Sequence, residues 1–146
     1  MDHYTTKNFM LTQSIGFLLT RSRNLIVAEM DTGLKELDIT SQQMGILLSI
    51  QQGVATTPFE LSKLLEIDTG LMTRMLDKLE DAKGMLERSR SVDDRRVVNL
   101  KLTKKGEEVT ARIPEIAPQI LNARLRKFSK AEFTELCRLL RKFNGD

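Results

Sequence analysis

Phe59-Glu60-Leu61-Ser62-Lys63-Leu64-Leu65-Glu66-Ile67-Asp68-Thr69-Gly70-Leu71-Met72-Thr73-Arg74-Met75-Leu76-Asp77-Lys78-Leu79 holds two short apolar periods separated by a tight turn. The start of the first is marked by Thr57-Pro58-Phe59-Glu60, with a threonine cap, proline at the first helical position and glutamate three residues after the cap. In such a box the threonine accepts from the third helical amide while the glutamate returns to the cap's own amide. This helix is expected to bury Phe59, Leu61, Leu64 and Leu65. Leu65-Glu66-Ile67 then leads to Asp68, a second cap, and the next helix offers Leu71, Met72, Met75, Leu76 and Leu79 to a core. Two short helices joined so closely predict a helix-turn-helix.

Working outward, the period changes from 3.6 to 2 near Gly84. Val98, Leu100 and Leu102 alternate with Val97, Asn99 and Lys101, which predicts a half-buried strand. Leu86 to Ser91 is its expected antiparallel partner, with Val92-Asp93-Asp94-Arg95-Arg96 as the tip between them. A hairpin directly after a helix-turn-helix makes a wing. Upstream, helical steps run from Phe9 to Leu37, and a second helix is expected from Thr40, burying Met44, Leu47 and Leu48 and stopping at Gly53. Downstream, Thr103 caps a helix with Val109, Ile113, Ile116, Ala117, Ile120 and Leu121 on one face. Pro114 and Pro118 lie inside it, each removing a backbone donor, so a bend or break is expected. Ser129-Lys130-Ala131-Glu132 is another capping box, with Phe128 and Phe133 placed as a hydrophobic staple, and the last helix repeats Phe133, Leu136, Leu140 and Phe143. The fold class is therefore mainly α (α+β): a winged helix-turn-helix over residues 56–103, flanked by a helical dimerisation domain made of 1–55 and 104–146. The flanking helices carry more apolar surface than so small a unit can cover, which predicts a two-fold homodimer.

Composition narrows the function. The 146 residues are 40% hydrophobic and 29% charged, enough for one packed core, and uncharged stretches are interrupted by Gln, Ser and Thr before reaching membrane-spanning length. MDHYTTKNFM lacks the basic and apolar regions of a signal peptide, so a cytoplasmic location without a membrane partner is expected. One cysteine, Cys137, and one histidine, His3, leave no disulfide framework, no Cys-based zinc site and no His-dependent triad, so neither metal nor cofactor is expected. Adjacent Asp93 and Asp94 on a turn point apart and make a poor acid/base pair, and no GxxxxGK[ST] or GxGxxG loop occurs. An enzyme is not expected.

Charge distribution points instead to an anion. Residues 1–55 hold 4 basic and 5 acidic groups, whereas Arg88 to Lys105 hold 7 basic against 2 acidic. On the second helix of the motif, Thr69, Gly70, Thr73, Arg74 and Asp77 lie opposite the apolar stripe, where a recognition helix meets base edges. Gly70 allows close backbone approach, the threonines suit phosphate or a thymine methyl, and Arg74 suits guanine. At the wing tip Arg95 and Arg96 fit a narrow minor groove, with Asp94 orienting one of them. Arg88, Arg90 and Lys101 are expected beside the phosphates, adding salt-dependent affinity. Double-stranded DNA is the expected partner; the alternative is a protein-interaction or architectural module using the same winged unit.

The ordered series Phe59-Glu60-Leu61-Ser62-Lys63-Leu64-Leu65, Thr73-Arg74-Met75-Leu76-Asp77-Lys78-Leu79-Glu80, Lys83-Gly84-Met85-Leu86-Glu87-Arg88, Asp93-Asp94-Arg95-Arg96 and Leu102-Thr103-Lys104-Lys105-Gly106 resembles the MarR family of bacterial regulators. The resemblance implies a homodimer binding a pseudo-palindromic operator, usually as a repressor, and released by a small anionic aromatic compound. Arg21, Arg23 and Met44 are the candidate effector contacts. Two departures stand out. The family usually places two residues between the glutamate ending the recognition helix and the glycine of the wing, whereas three, Asp81-Ala82-Lys83, separate Glu80 from Gly84 here. The peroxide-sensing branch carries a cysteine near the first helix, whereas Cys137 lies on the last, where a small buried hydrophobe is expected.

Overall fold

Six α-helices and one hairpin follow in the order α1 (Ile15–Gly33), α2 (Ser41–Gln51), α3 (Pro58–Leu65), α4 (Thr69–Asp77), β1 (Leu86–Arg90), β2 (Val98–Leu102), α5 (Lys104–Leu125) and α6 (Lys130–Asn144) in a computed structural model that describes residues 1–146. The first helix begins later than its apolar period does. Ser14 caps it by accepting from the Phe17 amide, and Leu11–Gln13 form a separate 3-10 turn, because a capping serine stops the helix from propagating backward. Thr40 caps α2 in a complete box with Gln43.

Caps also set the helix-turn-helix. Thr57 accepts from the Glu60 amide, but Glu60 takes the threonine hydroxyl rather than its amide, so the box is half formed. Glu66 adopts a left-handed conformation at φ 52°, closing α3 with its amide on the Ser62 carbonyl and turning the chain toward Asp68. Asp68 then accepts from the Gly70 and Leu71 amides at 2.8 and 3.2 Å, a cap contributing about 1 kcal/mol. Leu61, Met72 and Leu76 are buried where the two helices meet. Phe59 and Leu64 are not in that contact: they are 67% and 51% exposed, because an eight-residue helix turns only one stripe inward and Leu61 and Ser62 occupy it.

Leu86 pairs with Leu102, Arg88 with Leu100 and Arg90 with Val98 in the antiparallel wing. Leu86, Leu100 and Leu102 close onto a single cluster of 18 buried residues that also contains Met30, Leu34, Ile46, Leu47, Ile50 and Ile113. The winged unit and the helices around it therefore share one core, with no gap in packing at residue 56. The Leu100 amide donates to the Thr56 carbonyl, tying the segment before α3 to β2.

The long helix α5 is capped by Thr103 and runs through Pro114 and Pro118 without a break. The two prolines are four residues apart and exposed, on the side away from Ile116 and Ile120, so the lost donors leave the packed face intact. Gly106 lets α5 approach the wing: a Cβ there would lie inside van der Waals contact of the Met85 carbonyl. Ser129 and Glu132 complete the capping box of α6. No residue of α6 is buried, Phe128 and Phe133 are exposed and line one shallow hollow beside the cap, and Cys137 is half-buried rather than enclosed. No helix is long and apolar enough to cross a membrane.

Candidate nucleic-acid interface

Thr69, Gly70, Thr73 and Arg74 form an exposed face on the first turns of α4, held in place by the buried Met72, Met75 and Leu76 behind them. The Gly70 amide is consumed by the Asp68 cap, so its contribution is space: a Cβ at residue 70 would stand 3.3 Å from Asp68 Oδ1 and 3.8 Å from Arg74 Nη1. The tighter of these approaches is to the capping carboxylate, while the Arg74 guanidinium stands at ordinary contact distance. Thr73 donates its hydroxyl to the Thr69 carbonyl at 2.9 Å, keeping its methyl and its acceptor capacity for a partner.

Asp77 and Arg88, both expected on the contact surface, are paired with each other. Arg88 Nη2 lies 2.5 Å from Asp77 Oδ1, and its Nε donates to Glu80. The hydrogen bond to Asp77, with Glu80 adding to it, makes the guanidinium still harder to deprotonate than usual. The cause is register. Residues opposite one another share a face, so Arg88 lies with Leu86, Leu100 and Leu102 on the inward side, while Lys101, paired with Glu87, lies on the other. Arg88, Arg90 and Lys101 do not form one row. Arg88 clasps the wing to the end of α4, and Arg90 donates to the Arg95 carbonyl at 2.8 Å, bracing the tip.

At that tip Asp94 holds Arg96 by three bonds: the Arg96 amide at 3.0 Å, and its Nε and Nη2, each at 3.1 Å. These bonds hold the Asp94 carboxyl below the usual carboxylate range. The Arg95 guanidinium makes no intramolecular bond and stands exposed beside Val92, Ser91 and Arg90.

The extra residue before Gly84 is absorbed by a π-helical turn over Lys78–Ala82, which continues α4 without a break. Such turns accommodate one added residue inside a helix. Lys83 closes it, and its side chain crosses to Asp38, a contact 45 residues apart in sequence that no local spacing reveals.

Of the candidate effector contacts, Arg21 is exposed on α1 and Met44 half-buried on α2. Arg23 lines a cavity of about 230 Å³ with Ser41, Gln42, Gly45, Leu65, Glu66 and Ile67, between α1, α2 and the turn of the helix-turn-helix. Neither Arg21 nor Met44 lines it. No group of three or more His, Cys, Asp or Glu is gathered as metal ligands.

Comparison with known proteins agrees with this architecture. The MarR family profile matches residues 39–98. The multiple antibiotic resistance protein MarR of Escherichia coli is 40% identical over 94 residues, 64% of this chain and 65% of that protein's length. The regulator SarZ of Staphylococcus saprophyticus is 31% identical over 116 residues, 80% of this chain and 79% of its own. A cysteine-to-serine mutant of E. coli MarR, solved in complex with operator DNA, superposes with a TM-score of 0.83 at 31% identity, over 93% of this chain and 99% of that one. BpsR of Bordetella bronchiseptica shares the fold, with a TM-score of 0.85 at 24% identity over 94% and 98% of the two chains. With the same winged helix-turn-helix, the same flanking helices and identity above 30% over nearly all of a solved relative, the chain belongs to the MarR family.

Proposed function

We propose that this protein is a sequence-specific transcriptional regulator that binds a pseudo-palindromic DNA operator as a homodimer and represses from it. The observation that carries this reading is the pairing of an exposed Thr69–Gly70–Thr73–Arg74 face with an arginine-tipped wing braced by Asp94 and Arg90. Helix α4 supplies direct readout in a major groove, where Arg74 is suited to guanine. The wing supplies groove shape and phosphate contact through Arg95 and Arg96. Arg88 and Asp77 serve by fixing the angle between these two arms rather than by touching DNA. The solved relative bound to operator DNA, nearly coextensive with this chain, supports the same docking.

Dimerisation is supported by what the single chain leaves uncovered. Ile15, Leu18, Leu25 and Ile26 of α1 and Phe133, Leu136, Leu140 and Phe143 of α6 are all exposed. A symmetric second copy is the simplest cover. For the effector, the cavity beside Arg23 lies where the helices meet the reading unit, and a carboxylate on an aromatic ring would pair with that guanidinium.

The test is selection of a binding site from randomised duplexes, followed by footprinting and a salt series. A two-fold symmetric site with a steep salt dependence is expected. A partner that is a protein and survives high salt, with no selected DNA sequence, overturns the reading. Aromatic acids of the salicylate type, titrated to millimolar levels against the selected site, should weaken binding, and an Arg23→Ala variant should respond less.

A further inference from the structure

Between residues 57–102 and residues 1–53 a single side-chain hydrogen bond is made, and Lys83 makes it. Its ammonium donates to the main-chain carbonyl of Asp38 and lies 3.4 Å from Asp38 Oδ1. The lysine side chain is only 10% exposed, although its partner carboxylate is 82% exposed. A long flexible side chain is thus immobilised along its whole length to reach one carbonyl, at an entropic cost that a surface ion pair does not repay. Asp38 is also unusual. It stands in the left-handed region at φ 57°, ending the 3-10 turn Leu34–Leu37, so its carbonyl is presented in a fixed direction.

The opposite side of the same segment is pinned too. Glu80, within the π-helical turn, is held by Arg88 of the wing, while Lys83 at its end is held by Asp38. The turn therefore joins α4, the wing and the helical framework at one place. Other directional ties run to the chain ends of the unit, from the Leu100 amide to the Thr56 carbonyl and from Thr103 to Gly84 and Met85. On the side facing α1 and α2 the remaining contact is the shared apolar core, which is non-directional and permits small rotations. A hydrogen bond to an oriented carbonyl does not.

We propose that Lys83 is a positioning residue for DNA recognition, latching the α4–wing unit to the framework at Asp38 and so fixing the separation of the two recognition helices in a dimer. This inference rests on the reading given under Proposed function. Half-sites on one DNA face lie about 34–36 Å apart, so a few degrees of freedom at the junction become ångströms at the reading surface. Lys83 touches no DNA in this scheme. It sets which half-site spacing fits.

Lys83→Met and Asp38→Asn are the informative variants. Asparagine tolerates the left-handed conformation and keeps the carbonyl, so Asp38→Asn retains the latch, while Lys83→Met removes its donor. Each is measured on the selected operator, on duplexes with the half-sites one base pair closer or farther apart, and on a single half-site. In Lys83→Met the preference for the native spacing should fall about three- to thirtyfold, with single half-site affinity unchanged. Asp38→Asn should match the parent. Independently of DNA, spin labels at Thr32→Cys and Ser89→Cys in a Cys137→Ser background, diluted with unlabelled chain, should give a narrow distance distribution that broadens on Lys83→Met. A methionine variant that keeps both the spacing preference and the narrow distribution overturns the proposal, as does one that loses single half-site affinity equally. Should Lys83→Met fail to fold, Lys83→Gln, whose amide donors sit one atom short of the Asp38 carbonyl, is read in the same two assays and should show the same loss of spacing preference and the same broadening. Failure of the parent to select DNA, with the distance effect intact, would sink the functional reading and leave the latch standing.

Discussion

Arg74 and Arg95 are both exposed arginines, and the proposed function gives them different work. Arg74 rises exposed from a helix packed by Met72, Met75 and Leu76, and the proposed reading places its guanidinium at a base edge. Replacing it with alanine should cost about 1–3 kcal/mol of operator affinity and relax preference at one position per half-site. The Arg95 guanidinium stands on a turn with no intramolecular partner, and the proposed reading gives it groove and phosphate. Arg95→Ala should weaken binding to operator and scrambled duplex alike and lower the salt slope by about one unit. Binding of each variant to both duplexes across a salt series separates the two; an Arg74→Ala protein with unchanged base preference would mean that α4 is not the reader. Asp94 adds a pH test. Because Arg96 holds its carboxyl below the ordinary value of 3.8, the ordering of the tip is fully present above that pH and is lost as pH falls through the lowered value. Carbon-detected titration should place the Asp94 midpoint below 3.8; a midpoint at or above that value would show that Asp94 and Arg96 are not paired in solution.

At the scale of elements, contact between α5 and the wing sets a sharp constraint. Gly106 has no room for a methyl group against the Met85 carbonyl, and the Thr103 hydroxyl donates to the Gly84 carbonyl at 2.6 Å in the same corner. Gly106→Ala must push main chain against main chain, and should destabilise the fold by about 1–3 kcal/mol. A denaturant midpoint equal to the parent's would contradict this. The elements themselves were legible because their signals are local. Asp68 caps, Thr57-Pro58 starts, and the switch to period 2 after Gly84 each act within a few residues, and α3, α4, β1 and β2 fall where those signals place them. Exposure of Phe59 and Leu64 was not legible, since an apolar residue on a short helix declares no preference for one side until neighbours fill the other. The Arg88 clasp required the strand register, and the contact of Lys83 with Asp38 required the whole fold. Pro114 and Pro118 predict a bend or break in α5, yet both sit on its exposed side, where the carbonyls they leave without a donor can be hydrated.

Across the whole molecule, burial is uneven. One core of 18 residues joins the winged unit to α1, α2 and α5, yet no residue of α6 is buried and the first two turns of α1 expose Ile15 and Leu18. Helix α6 is well capped at both ends, by the Ser129–Glu132 box and by left-handed Gly145, so its local signals favour a helix. Capping alone does not hold a 15-residue helix in water, because isolated helices of that length are marginal. Its stability must come from packing of Phe133, Leu136, Leu140 and Phe143 against something outside this chain's own core. If that is a second copy, folding and association are linked, and the unfolding midpoint should rise with protein concentration. Deleting residues from Ser129 onward should then yield monomer or aggregate, since the apolar face of α1 would lose its cover. Sedimentation equilibrium of the two proteins, with thermal unfolding over a hundredfold range of concentration, tests both points. A truncated chain that sediments as a folded dimer, or a full chain whose midpoint ignores concentration, would place the interface elsewhere.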